Sequence, residues 1–119
     1  MTKKNYNLEE RTIKFSEIVI VFAKKVRKDI VNTPMISQLV RSATSVGANY
    51  CEANGASSKK DFKNKIYICK KEAKETKYWL QLIASANLEH KEECRKLWKE
   101  THELTMIFSK IILTIERKG

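Results

Sequence analysis

The sequence predicts an all-α fold, an antiparallel up-down-up-down four-helix bundle in a single domain. Three observations lead there. Apolar residues recur at spacings of three and four in four separate stretches. Only 3 Gly and 1 Pro interrupt 119 residues, so the elements must be long. The breaks between stretches are short, which makes consecutive helices antiparallel neighbours.

In the first stretch, Leu8, Thr12, Phe15, Val19, Phe22 and Val26 form a heptad seam. Asn7 and Glu10 have the spacing of a capping box, so helix 1 is expected over 8–30. Thr33-Pro34 is a start signal, with Thr as cap and Pro at the first helical position. Helix 2 is expected over 34–54 on the seam Ile36, Leu39, Ala43, Val46, Tyr50 and Ala53, with Gly55 ending it. Ser58 and Asp61 open helix 3, expected over 59–86. Its seam is Phe62, Ile66, Cys69, Ala73, Thr76, Leu80 and Ile83, and its length would be roughly 40 Å. Asn87 is expected as a left-handed cap in the turn to helix 4, placed at 90–117. The fourth seam is Cys94, Leu97, Thr101, Leu104, Phe108, Ile111 and Ile115.

A bundle helix needs an apolar face of only about three positions in seven. Ile18, Ile20, Val21, Tyr67, Ile68, Tyr78, Trp79, Trp98, Met106, Ile107, Ile112 and Leu113 fall off the seams. One monomer cannot bury all twelve, and exposed apolar patches mark interfaces, so a homo-oligomer is expected. On helix 2, Gln38, Ser42, Ser45, Asn49 and Glu52 form a second stripe of mostly small polar residues. Such a stripe lets another helix approach closely. A catalytic serine there would need a base, and His90 and His102 both belong to the region of helix 4.

The charge carries the functional reading. The chain has 24 Lys and Arg against 14 Asp and Glu, a formal net charge of +10. That excess favours a polyanionic partner, nucleic acid or an anionic membrane surface. It concentrates in residues 1–33 (8 basic, 4 acidic) and 58–87 (8 basic, 3 acidic). On helix 3, Lys60, Lys63, Tyr67, Lys70, Lys74 and Lys77 share one face, and no carboxylate on that helix interrupts them. Helix 1 ends in Lys24, Lys25, Arg27 and Lys28. A row of cations binds phosphates by releasing counterions. Lysine is a point charge unsuited to bidentate base reading, so contact is expected to be sequence-independent.

Other classes find little support. His90 and His102 lack metal-ligand spacing, the Glu-x-x-His pairs of di-iron bundles are missing, and there is no P-loop or GxGxxG. No enzyme activity, metal or cofactor is expected. Glu72 and Glu75 are expected to pair with Lys71 and Lys74. The longest apolar run, Ile18 to Ala23, is far short of the ~20 residues of a membrane span, and the apolar seams are better used inside the bundle than on a membrane surface, so no membrane partner is expected. Three cysteines without CxxC, and no leader in MTKKNYNLEE, fit the cytoplasm.

Residues 39–55, LVRSATSVGANYCEANG, and 58–83, SKKDFKNKIYICKKEAKETKYWLQLI, resemble the bacterial four-helix bundle family of 23S rRNA intervening-sequence proteins, or S23-type ribosomal proteins. The resemblance extends over nearly the whole chain. Tyr50-Cys51 departs from the aliphatic pair of many members. The resemblance implies a ring-shaped homopentamer. It points to Arg41, Ser42, Ser45, Asn49, Glu52 and Glu75 as family positions, read here with Trp79 and Trp98 as packing and interface residues. A distant relative is the accessory protein of diversity-generating retroelements, a basic pentamer that binds nucleic acid and a reverse transcriptase. Two functions are therefore expected: a nucleic-acid-binding scaffold, or an adaptor that grips a protein such as a reverse transcriptase.

Overall fold

A computed structural model describes residues 7–118 of the chain. It contains helix α1 (Leu8–Lys25), α2 (Asn32–Asn54), α3 (Lys59–Ala86), a 3₁₀ turn at Leu88–His90, and α4 (Lys91–Lys118), with no strand among the described residues. The bundle measures 47 × 29 × 20 Å. In chain order α2 packs between α1 and α3, and α4 packs against α3. The backbones of α1 and α4 approach each other only sparsely, and their contact is made by side chains.

The heptad seams are the core. All six seam residues of helix 1 are buried, and so are Leu39, Ala43, Val46, Ile66, Cys69, Ala73, Thr76, Leu80, Ile83, Cys94, Leu97, Thr101, Leu104 and Phe108. Removing this apolar surface from water is the main stabilising term. The seam of α4 shifts toward its C-terminus. Ile112 is buried there while Ile111 and Ile115 are half-exposed, because these two line the open groove beside α1. Gly47 marks a close helix approach: a Cβ there would lie 3.4 Å from the Thr12 side chain of α1.

Four local expectations are corrected. Helix α1 stops at Lys25 rather than at residue 30, because Val26 is extended (φ −74°, ψ 133°) although its side chain remains buried. Helix α2 begins at Asn32 and not at Pro34. Val31 holds its N-cap position without a side-chain bond, and Asp29 Oδ1 accepts from the amides of Val31 (3.0 Å) and Asn32 (2.7 Å), so Thr33 lies inside the helix. Asn7 precedes α1 but makes no side-chain capping bond. Asn87 is not left-handed (φ −139°, ψ 79°), and a 3₁₀ turn intervenes before α4 starts at Lys91. The Ser58 cap forms, with Oγ accepting from the Asp61 amide at 3.0 Å.

Asn87 is instead the centre of a buried polar knot. Its Nδ2 donates to Asn32 Oδ1 (2.8 Å) and to the Ile83 carbonyl (3.0 Å). Asn32 Nδ2 donates back to Asn87 Oδ1 (2.9 Å) and to the Arg27 carbonyl (2.9 Å). These bonds tie the α1–α2 loop to the α3–α4 turn and satisfy both buried amides.

Candidate nucleic-acid interface

The lysine line of α3 is a physical surface. Lys60 and Lys74 are exposed, and Lys63, Lys70 and Lys77 are half-exposed. At 1.5 Å per residue the line runs about 26 Å along the bundle, close to one cation per turn. Its members differ in their engagements. Lys63 Nζ lies 3.9 Å from Glu116 of α4, and the Tyr67 hydroxyl donates to the same carboxylate at 2.7 Å. That bond raises the Tyr67 pKa, since ionising the phenol would face a carboxylate. Lys77 Nζ sits 3.1 Å from His102 Nδ1 and 4.9 Å from the centroid of the Trp98 ring. Among the described residues, Lys60, Lys70 and Lys74 have no carboxylate partner.

The cations of helix 1 are placed elsewhere. Lys24 and Lys28 are exposed, Lys25 pairs with Glu93 of α4 at 2.6 Å, and Arg27 pairs with Asp29 at 3.3 Å. Lys25 thus meets α4 near its start, at Glu93, whereas the α3 line meets α4 further on, at His102 and Glu116. The Lys25 bond, then His90, holds the Glu93 carboxyl below its ordinary value.

The family positions lie along the contact between α2 and α3. Arg41 of α2 donates to Glu72 Oε1 at 3.1 Å, to Glu75 Oε2, and to Gln38 at 2.8 Å. Glu72 and Glu75 therefore pair with Arg41 across the interface rather than with Lys71 and Lys74. Both carboxylates turn toward α2, where a guanidinium fork can bridge them. Trp79 Nε1 also donates to Glu75, at 2.9 Å. This bond first, and Arg41 second, depresses the Glu75 pKa. Thr76 donates to the buried Ser42 Oγ at 2.9 Å. Asn49 Nδ2 bonds the Ser45 carbonyl at 2.9 Å, and Lys65 reaches Glu52 at 2.7 Å. Neither Ser42 nor Ser45 has a histidine among its hydrogen-bond partners.

Of the off-seam apolar residues, Ile18, Ile20, Val21, Tyr67, Tyr78, Met106 and Leu113 are exposed, joined by Ile13, Ile30, Val31 and Leu88. Ile18 and Val21 border a groove of about 360 Å³ between α1 and α4. A second groove of about 750 Å³, lined by Leu8, Ile107, Ile111 and Ile115, lies toward the other end of the same two helices. Arg11 ties the two helices beside these grooves through Glu100 (2.7 Å) and Glu103 (2.7 Å).

The arrangement that sequence reasoning missed is the aromatic pair beside Lys77. His102 stacks on Trp98 with centroids 5.1 Å apart and planes 12° from parallel. The only signal was the i, i+4 spacing of Trp98 and His102 on α4. Trp98 Nε1 is buried with no partner among the described residues. No group of three His, Cys, Asp or Glu among these residues could hold a metal ion, and no described helix is long and apolar enough to cross a membrane.

Comparison with known proteins agrees with this architecture. The sequence pattern of the family described as 23S rRNA-intervening sequence protein matches residues 4–110. A crystal structure from Bacteroides thetaiotaomicron, described as a protein of unknown function from the S23 ribosomal protein family, is 30% identical with a TM-score of 0.78. The match covers 87% of this chain and 96% of that one. No curated protein matches. With the pattern spanning nearly all of the bundle and a relative of the same fold at this identity, the chain belongs to the family of 23S rRNA-intervening sequence proteins.

Proposed function

We propose that this chain is a non-enzymatic nucleic-acid-binding scaffold that works as a homo-oligomer. One observation carries the reading. Lys60, Lys70 and Lys74 stand on one face of a rigid helix with no carboxylate partner among the described residues, in line with Lys63 and Lys77. Cations already neutralised by a neighbour add little to a phosphate contact; these three are available for it. The family takes its name from intervening sequences of 23S rRNA, and RNA is accordingly the first polyanion to test. The exposed isoleucines and Val21 of α1, with the grooves beside α4, supply the apolar area a subunit interface needs, and a ring of five would use it. The same surface supports the second reading, an adaptor for a protein such as a reverse transcriptase.

The test is RNA and DNA binding by the purified protein across a salt series, with its mass measured on the same sample. Binding by an oligomer, with log affinity falling linearly in log salt, is expected. Changing Lys63, Lys70, Lys74 and Lys77 together to Glu should abolish binding and leave helicity intact. Equal binding by that variant would make the line an ordinary solvated face. No binding by the parent at low salt would favour the adaptor.

A further inference from the structure

We propose that the stacked pair His102 and Trp98, pinned by Lys77, is a platform on which one unpaired base of a single-stranded nucleic acid stacks. The inference rests on the phosphate-binding reading of the α3 lysines and adds to it the strand type that the site takes.

The geometry assigns each group a role. Lys77 Nζ is a donor only, so the 3.1 Å contact makes His102 Nδ1 an acceptor and places the ring proton on Nε2. His102 then presents a flat aromatic ring. Trp98 supports one face of it at 5.1 Å, nearly parallel. The same ammonium lies 4.9 Å from the centroid of the Trp98 ring and contacts the imidazole, so one cation fixes two rings. His102 itself is exposed, while Trp98 is half-buried. The outer part of the stack therefore faces solvent and is already oriented. The carboxylate nearest in sequence, Glu103, is turned away to Arg11.

Position gives the platform its meaning. Lys74 and Lys70 lie on α3 about one and two turns before Lys77, on the face that carries the contact to His102. A strand whose phosphates follow Lys70 and Lys74 arrives at His102 with its next base. Every base has a π-face, so an aromatic ring at the end of a cation row binds without reading sequence, provided the base is unpaired. A duplex keeps its bases stacked inside and cannot use the ring. Lysine supplies charge without base-edge recognition, which fits the same partner.

The experiment compares a short single strand with an otherwise identical strand of abasic residues, which keeps the phosphates and loses the bases. Parent protein should bind the base-bearing strand about tenfold more tightly, within the range for one base on one aromatic side chain. His102→Ala should remove that preference while leaving abasic-strand affinity and the salt slope unchanged. His102→Phe should restore it, because phenylalanine keeps a stacking face and loses only the bond to Lys77. Equal binding of the two strands by the parent, a preference that survives His102→Ala, or a His102→Phe variant as poor as the alanine would each overturn the platform and leave the lysine line standing. Binding of neither strand at low salt would overturn the lysine line, and the platform with it.

Discussion

Replacing Asn87 by Ala tests the polar knot that joins the two loops at one end of the bundle. The side chain makes three hydrogen bonds, two as donor to Asn32 Oδ1 and the Ile83 carbonyl and one as acceptor from Asn32 Nδ2. Each has a net worth of about 1 kcal/mol, so about 3 kcal/mol is at stake. Asn32 Nδ2 retains the Arg27 carbonyl, but Asn32 Oδ1 loses its donor in a site where Asn32 is 2% exposed. The backbone at Asn87 (φ −139°) is open to any residue, so alanine adds no strain of its own. Urea unfolding followed by helical circular dichroism reads the loss. With a slope of about 2 kcal/mol/M, the midpoint should fall by about 1.5 M. The comparison must hold protein concentration fixed, since any self-association would add to apparent stability. Adding Asn32→Leu to Asn87→Leu should cost less than the two single changes added together, because the double variant leaves neither half of the Asn32–Asn87 pair facing a missing partner. A loss below about 0.5 kcal/mol for Asn87→Ala, or strict additivity of the leucine variants, would refute the account of the knot.

Two further outcomes follow from the titrating groups. Glu75 is held below its ordinary value of 4.5 by Trp79 and Arg41, so its contribution to stability is complete above that pH and fades as pH falls through the depressed folded value. Glu75→Gln should flatten the acid side of a stability profile measured from neutral pH downward, and an unchanged profile would count against the link. Among the cysteines, burial pushes Cys69 up to about 12 and Cys94 up to about 11, whereas Cys51 is exposed. A thiol reagent at mildly alkaline pH should label Cys51 alone in the native protein and all three cysteines in denaturant. Labelling of Cys69 or Cys94 at the rate of Cys51 would show that the core opens.

The sequence made the seams legible because burial on a helix repeats every 3.5 residues, and that period survives in any context that packs on neighbours. It misled at Val26. There the side chain keeps the seam's rhythm and is 3% exposed, yet the backbone has already left the helix. Periodicity reports where side chains go, and an extended residue can also point inward. The lysine line was legible for a related reason: all its members belong to one helix, whose geometry fixes their common face. The partners of that line were not. Glu116 meets Lys63 and Tyr67, and His102 meets Lys77, only once the register of α4 against α3 is set. The same holds for Asn32 and Asn87, 55 residues apart. Arg41 shows the reverse error. Two carboxylates near lysines on their own helix were drawn to a guanidinium on the next, because a planar fork between helices satisfies both at once.

The sparse backbone approach of α1 to α4 has a thermodynamic consequence. Helices α2, α3 and α4 form a continuous raft, each member sharing an extensive face with the next, while α1 leans on α2 and is tethered to α4 by Arg11 and Lys25. An element with fewer shared contacts opens at a smaller free energy than the whole, so α1 is the natural unit of partial unfolding. Amide protons of α1 would then exchange with solvent ahead of those in the raft. A subunit covering the grooves beside α1 would close that gap in protection, so association and the ordering of the first helix would be two readings of one equilibrium.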